Sequence, residues 1–271
     1  MKQPAIVVTP QNDPPADGDK DPQFAYTLAK GLEVLRAFDA TVQSLGNREI
    51  AQRTGINRAT VVRLTRTLAI LGYLKYNESA ARYRLAAPVL SFGYPLLCHL
   101  GVRQLARPHM QELADFAHGA VSLAMRGQGQ LVLVETCVDK AAPSGRPDVG
   151  ALRGFADTSL GHTYYSATND SERLEIDAFL KSTATVNWPA VRRQLAASRK
   201  HFASTGYCVV VQPDSGLQGI SVPLDYLPDG ELMVMNCVIA PFHLQVDTIE
   251  KQIAPRLLDL VRLLKSAMGR R

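Results

Sequence analysis

The stretch "GINRATVVRLTRTLAILGY", residues 55–73, decides how the rest of the chain is read. At about 100° per residue, Val61, Leu64, Leu68 and Leu71 fall on one side of a helix. Arg58, Ala59, Arg63 and Arg66 point elsewhere, and Thr60 and Thr67 add hydroxyls and methyls. Asn57 is suited to cap such a helix at its start. The preceding segment "NREIAQRTG" predicts a short helix with Asn47 as its N-cap, Ile50 and Ala51 facing inward, and Gly55 at a tight turn. After the Arg-rich helix the period changes from 3.6 to 2. "GYLKYNESAARYRLA" predicts a β-hairpin, 73–76 paired with 82–85, with Arg82 and Arg84 on one face of the second strand.

Two helices joined at a Gly, the second Arg-rich and followed by a basic hairpin, describe a winged helix-turn-helix. A major groove about 12 Å wide admits one helix. That helix needs an apolar stripe to hold it to its domain, and long donors beside small residues on the other side. The charge distribution agrees. Between Phe24 and Leu85 ten Lys and Arg face four acids, Glu33, Asp39, Glu49 and Glu78, an excess larger than the whole chain's net charge of +5. A positive excess concentrated in one small segment is what a polyanion partner requires. The candidate DNA contacts are Arg48, Arg58, Ala59, Thr60, Arg63, Arg66, Thr67, Arg82 and Arg84.

Outward from this segment, residues 1–23 are rich in Pro, Asp and Gly without periodicity and read as a disordered tail. Leu28, Leu32, Leu35 and Phe38 predict a helix ahead of the helix-turn-helix. Pro88 opens a further helix, broken near Pro95, whose Leu90, Phe92, Leu96, Leu97 and Leu100 suit a dimer contact. Helices are expected at 102–117, 159–167, 171–180, 189–204 and 245–266. Strands are expected in "AVSLAMR", "LVLVETCV", "GYCVVVQ", "LQGISVPL" and "ELMVMNCVIA", with 140–154 as loop. This is an α+β arrangement of mainly antiparallel strands flanked by helices. The domains expected are a winged helix-turn-helix over 24–86, a linker helix over 87–101, and a second domain over 102–271.

Other functional classes find little support. No apolar run approaches the roughly 18 residues of a membrane span, and there is no signal-peptide core, so a cytoplasmic location without membrane contact is expected. Cys98, Cys137, Cys208 and Cys237 form no C-x-x-C pair, and the six His form no zinc-binding helix. The cysteines read as small buried hydrophobes, and neither metal nor cofactor is expected. There is no G-x-S-x-G elbow and no P-loop. Asp214 and His243 are isolated. Catalysis on a small metabolite is the weakest alternative, and an effector-independent DNA-binding repressor the stronger one.

Taken with its order of blocks, the chain resembles the IclR-type transcriptional regulators. "LAKGLEVLRAF", "NREIAQRTGINRATVVRLTRTLAILGYL" and "ARYRLAAPVLSFG" are similar to the family's DNA-binding segment and linker. "ADTSLGHTYYSA", "STGYCVVV", "GLQGISVPL" and "VMNCVIAPF" follow in family order, so the similarity runs from Phe24 to about Ala267. It departs at Thr65, where Leu is usual, and at Tyr164 and Tyr165, where smaller residues are usual. Val209, Val210, Val211 and Gln212 stand where acidic residues are usual.

The resemblance implies a GAF-like C-terminal domain that binds a small effector and oligomerises. It implies a homodimer or dimer of dimers on a pseudo-palindromic double-stranded DNA operator that controls a catabolic operon. The residues favour a small organic acid, aromatic acids included. Thr158 or Ser159 falls at a helix N-terminus whose free N–H groups suit a carboxylate. Ser221, Cys237 and Ile239 are expected to line the cavity, Leu152 and Phe155 to form an apolar lid, and Tyr164 to supply a hydroxyl or a stacking ring.

Overall fold

The computed structural model describes residues 23–140, 148–183, 185–212, 216–227, 230–239 and 249–269. The segment expected as a disordered tail lies outside them except for Gln23, as do Asp214 and His243. The chain divides into two compact units, the first ending at His99 and the second beginning at Leu100.

The first unit contains α1 (Tyr26–Arg36), α2 (Asn47–Thr54), α3 (Arg58–Ile70), β1 (Leu74–Asn77) and β2 (Arg82–Leu85). A 3₁₀ turn (Ala87–Phe92) and α4 (Tyr94–His99) follow. Its core is Val34, Leu45, Ile50, Val61, Leu74 and Tyr83. Ile50 and Val61 are fully buried, each contributing about 2 kcal/mol by leaving water. The α2–α3 turn works because Gly55 caps α2 at φ 70°, a left-handed conformation that costs glycine little.

Several local expectations shift. Gly46, not Asn47, precedes the first turn of α2, and the Glu49 carboxylate reaches back to the Gly46 N–H at 2.7 Å. Asn47 is thereby the first helical residue, and its side chain is free for another use described below. The hairpin pairs Leu74–Asn77 with Arg82–Leu85, one residue along from expectation. The break before α4 is at Gly93. Pro95 lies inside the first turn of α4, where a missing N–H breaks no helical bond. On α1 the buried residue is Val34, while Leu28 and Leu32 are 64% and 49% exposed. Leu71 ends α3 and is also exposed.

The second unit contains α5 (Val102–Ala117), β3 (Gly119–Arg126), β4 (Leu131–Val138) and β5 (Leu152–Arg153). These are followed by α6 (Ser159–Ala167), α7 (Asp170–Ser182), α8 (Trp188–Thr205), β6 (Cys208–Val211), β7 (Gln218–Tyr226) and β8 (Leu232–Ile239). A π-helical turn (Ile249–Ile253) leads into α9 (Ala254–Ala267). The strands form one sheet in the order β5-β4-β3-β8-β7-β6, with every pair antiparallel. This is the α+β fold expected. Two parts differ from expectation: Leu152–Arg153 form a short edge strand rather than loop, and the last α-helix begins at Ala254, with 245–248 outside the described residues.

Pairing register assigns side chains to faces, because directly opposite residues project the same way. Glu135 and Cys137 of β4 meet α5: the Glu135 carboxylate pairs with Arg103 and Arg107, and the Cys137 thiol donates to the Arg107 carbonyl. On the opposite face Ala124, Leu131, Leu133, Leu232 and Val234 pack with Leu160, Tyr164, Ile176 and Leu195 of α6, α7 and α8. A bulge in β4 opposite Leu123 and Ala124 reconciles the two runs. Leu100, expected in a dimer contact, is only 7% exposed, so it belongs to the second unit's interior. Cys98 is exposed, whereas Cys137, Cys208 and Cys237 are buried.

Candidate functional site

Two sets of residues stand out, one in each unit. In the first, α3 presents Arg58, Ala59, Arg63, Arg66 and Thr67 to solvent, with Thr60 half-buried and Arg48 exposed on α2. The Asn57 side chain caps α3 by accepting the Ala59 N–H at 2.8 Å. The Thr67 hydroxyl is partly spent, donating to the Arg63 carbonyl at 2.9 Å. Thr65, which helical stepping alone leaves unassigned, is fully buried. Its hydroxyl donates to Asn47 Oδ1 at 2.9 Å and lies 3.0 Å from the Val61 carbonyl. It therefore joins α3 to α2 and plays no part in the exposed face.

The carboxylates of this unit are sorted. Glu33 pairs with Arg36 at 2.9 Å, Asp39 with Arg53 at 2.8 Å, and Glu49 with Arg82 at 2.9 Å. The Gly46 N–H first, then Arg82, hold the Glu49 carboxyl below its usual range. Arg82 also donates to the Ser44 hydroxyl and carbonyl. It is thus bound into its own domain, unlike Arg84 beside it. Among the described residues Arg48, Arg58, Arg63, Arg66, Lys75 and Arg84 have no carboxylate partner. A groove of about 600 Å³ runs beside the hairpin, with Lys75, Arg82 and Arg84 and one acid, Glu78, among the residues that border it. Unpaired long cations on a helix and an adjoining hairpin can meet a row of phosphates.

In the second unit a polar row crosses the face of the sheet that lies under α6. Thr136, Ser122, Asn236 and Ser221 stand opposite one another on β4, β3, β8 and β7. Thr136 donates to Ser122 at 3.1 Å, and Ser221 donates to the Met235 carbonyl at 3.0 Å. Asn236 is 5% exposed and its Oδ1 has no partner among the described residues. A buried, unanswered amide oxygen costs free energy that a ligand or water recovers. Ser159 packs over Gly219 of the same face, where a Cβ on Gly219 would come 2.6 Å from the Ser159 hydroxyl. This puts the first turn of α6 beside the row. The N–H groups of Ser159 and Leu160 find no acceptor among the described residues, although both residues are buried.

The residues expected to form a cavity do not all gather here. Thr158 is the N-cap of α6, as expected of one of the pair Thr158 and Ser159, but its hydroxyl is occupied. It accepts the Gly161 N–H at 3.0 Å and donates to the Gly154 carbonyl at 2.6 Å. Ser221 lies on the face under α6. Cys237 and Ile239 alternate to the opposite face, opposite Ile220 and Gln218 rather than Ser221, so they do not line one cavity with Ser221. Leu152 is no lid: it is opposite Val132, one place out of phase with the core residue Leu131, and is 52% exposed. Phe155 and Tyr164 are core residues with rings 5.7 Å apart. The Tyr164 hydroxyl donates to Glu172 at 2.7 Å, and burial first, then Glu172, push it well above the ordinary tyrosine range. Asn236, Ser122 and Thr136 were missed because each is a polar residue inside an apolar run. Counting every second residue from Ser221 across the β7–β8 pairing finds Asn236, but that pairing is not readable from spacing alone.

The model of the IclR helix-turn-helix domain matches residues 27–78. The IclR family transcriptional regulator of Brucella abortus has 34% sequence identity and a TM-score of 0.83, covering 97% of this chain and 99% of that one. The HTH-type transcriptional regulator TsaQ1/TsaQ2 of Comamonas testosteroni is 26% identical over 249 residues, 90% of this chain and 89% of its own. An IclR homologue of Microbacterium hydrocarbonoxydans, solved in complex with 4-hydroxybenzoate, shares the fold. Its TM-score is 0.63 at 18% identity, covering 89% of this chain and 97% of that one. Regulators of this family bind DNA, and no helix among the described residues is long and apolar enough to cross a membrane. The chain belongs to the IclR family and is a regulator of transcription rather than an enzyme.

Proposed function

We propose that this protein binds a pseudo-palindromic DNA operator in the cytoplasm through α3, and that a small organic acid bound in the second unit alters its occupancy. The operator controls a catabolic operon. In this reading 24–86 is the DNA-binding domain, 87–101 the linker, and 102–271 the effector-binding and oligomerisation domain. The observation that carries it is the sorting of charge in the first unit. The three acids paired with Arg36, Arg53 and Arg82 leave Arg58, Arg63, Arg66 and Arg84 uncompensated. The first turn of α3 and its arginines enter the major groove while Arg84 meets the backbone.

One short helix reads few bases, so two copies are needed. The exposed apolar side chains Leu28, Leu32, Leu90, Phe92 and Leu96 favour a homodimer through α1 and the linker, alone or as a pair of dimers. The unanswered N–H groups of Ser159 and Leu160 favour a carboxylate as effector, while Asn236 Oδ1 calls for a hydrogen-bond donor. The 4-hydroxybenzoate of the Microbacterium neighbour supports aromatic acids as candidates.

The test of the DNA reading is Arg63→Ala on a footprinted operator. Binding should weaken by at least about 1 kcal/mol, and unchanged affinity at physiological salt removes Arg63 from the interface. For the effector, melting temperature is measured against a panel of carboxylates. Stabilisation by neutral or cationic metabolites alone overturns the acid.

A further inference from the structure

The buried polar row on the face under α6 has one member that its neighbours do not serve. Asn236 stands between Ser122 of β3 and Ser221 of β7, in register with both. The Ser221 hydroxyl donates to the Met235 carbonyl, and Ser122 accepts from Thr136. Asn236 Oδ1 is left without a donor among the described residues, on a side chain that is buried. A carboxamide oxygen only accepts, so a hydroxyl or N–H brought in from outside the row is what answers it. Left unanswered, it carries a desolvation cost that an apolar side chain at this place in β8 would not.

Contacts of α6 with β7 relate this residue to the helix's first turn. Ser159 lies over Gly219, and one turn later the Thr163 hydroxyl donates to the Ser221 carbonyl at 2.9 Å. The helix therefore runs along β7 from Gly219 to Ser221, and Asn236 is opposite Ser221 on the next strand. Gly219 and Asn236 are thus diagonal neighbours on one face, about 7–8 Å apart, a span that one ring or a short chain bridges. Burial deepens along that diagonal. Gly219 and Val238, which is opposite it, are half-buried, whereas Ser221 and Asn236 are buried.

We infer that Asn236 is a specificity residue for the effector: its Oδ1 accepts a hydrogen bond from the ligand, so the effector is an acid that also carries a neutral hydroxyl or N–H donor. This rests on the reading of the face under α6 as the effector site. The carboxylate meets the Ser159 and Leu160 N–H groups, and the donor at the far end of the molecule reaches the deeper row. A site built to accept a hydroxyl proton rejects the analogue that lacks it, because the acceptor then stays unpaired.

The test uses matched pairs in thermal-shift titrations of the full chain: 3- and 4-hydroxybenzoate with the corresponding fluorobenzoates, and 6-hydroxyhexanoate with hexanoate. Fluorine keeps the size of the hydroxyl and removes its proton. At least one hydroxy acid should bind the wild type about tenfold or more tightly than its partner. Asn236→Leu should bring the hydroxy acid down to its partner's affinity and leave the partner's binding unchanged. Asn236→Val, whose branched side chain suits a strand, serves the same purpose if the leucine variant does not fold. Equal binding within every pair by the wild type, or a hydroxyl preference that survives either substitution, overturns the inference and leaves the acid effector standing. Methyl 4-hydroxybenzoate and methyl 4-fluorobenzoate separate the two readings. A hydroxyl preference among the esters when no acid binds removes the carboxylate and keeps Asn236. Failure of every acid and ester to bind removes the effector reading and this inference together.

Discussion

The two units leave different groups unanswered. In the first unit three of the four acids are matched to Arg36, Arg53 and Arg82, Glu78 lies in the hairpin turn, and the remaining cations lie in solvent on α2, α3 and the hairpin. In the second, the most deeply buried ion pair is matched: Glu135, 3% exposed, is held by Arg103 and Arg107 from one side of the sheet. Among the atoms that remain unanswered there are Asn236 Oδ1 and two helix N–H groups on the other side. Surplus cations in water cost little and are available to a large, exposed polyanion. Surplus polar atoms in the interior are expensive, and only a ligand or water small enough to enter can meet them. The same kind of surplus thus points to two different partners, decided by solvent.

The largest effect expected is at the buried ion cluster. Glu135→Ala strips Arg103 and Arg107 of their shared partner. It should cost about 3 kcal/mol of unfolding free energy in urea, the lower end of the usual range because Arg107 is 63% exposed. A loss below about 1 kcal/mol would mean that the second unit does not depend on answering its buried charge.

Next come substitutions that separate domain stability from DNA contact within the first unit. Arg82→Ala should destabilise by about 1 kcal/mol, since it removes bonds to Ser44 and a half-exposed pair with Glu49. Arg84→Ala should leave stability unchanged. Instead it should weaken operator binding and reduce the slope of log K against log salt by about 1. If the two variants behave alike in both assays, the division between structural and free arginines is wrong. Thr65→Val, which keeps shape but leaves Asn47 Oδ1 without its donor, should cost about 1 kcal/mol in stability with operator affinity intact.

These cases also mark how far the sequence could be read. The 3.6-residue period and the Arg-rich side of α3 were legible because each is a property of consecutive residues. The structure of α6, Ser159–Ala167, was legible from its cap for the same reason. Thr65 was not, since its burial depends on Asn47, 18 positions away. The polar face under α6 was legible only in part. Thr158, Ser159 and Ser221 are on it, but Leu152, Cys237 and Ile239 are one place out of phase. A strand's alternation says which residues share a face and not which helices that face meets. That choice is made by β8 pairing between β3 and β7, a non-local event.

The smallest effect tests whether the second unit's interior is sensitive to adding charge. His162 of α6 is 4% exposed, with Nδ1 2.7 Å from the Ser198 hydroxyl on α8 and Nε2 3.1 Å from the Ala156 carbonyl. The carbonyl fixes Nε2 as a donor, so the neutral ring accepts from Ser198 through Nδ1. Burial lowers its pKa below the usual histidine value of about 6.5, against the smaller opposing effects of the Ala156 carbonyl and Asp157. The unfolded chain therefore binds the proton at higher pH than the native one. Stability is full above about pH 6.5, declines as pH falls below it, and levels off once pH is under the lowered native value. Thermal melts from pH 7.5 to 5 should show this decline, and His162→Gln should flatten it between pH 6.5 and 5. An equal decline in both proteins would assign the pH dependence to other groups and leave the α6–α8 contact insensitive to the His162 proton.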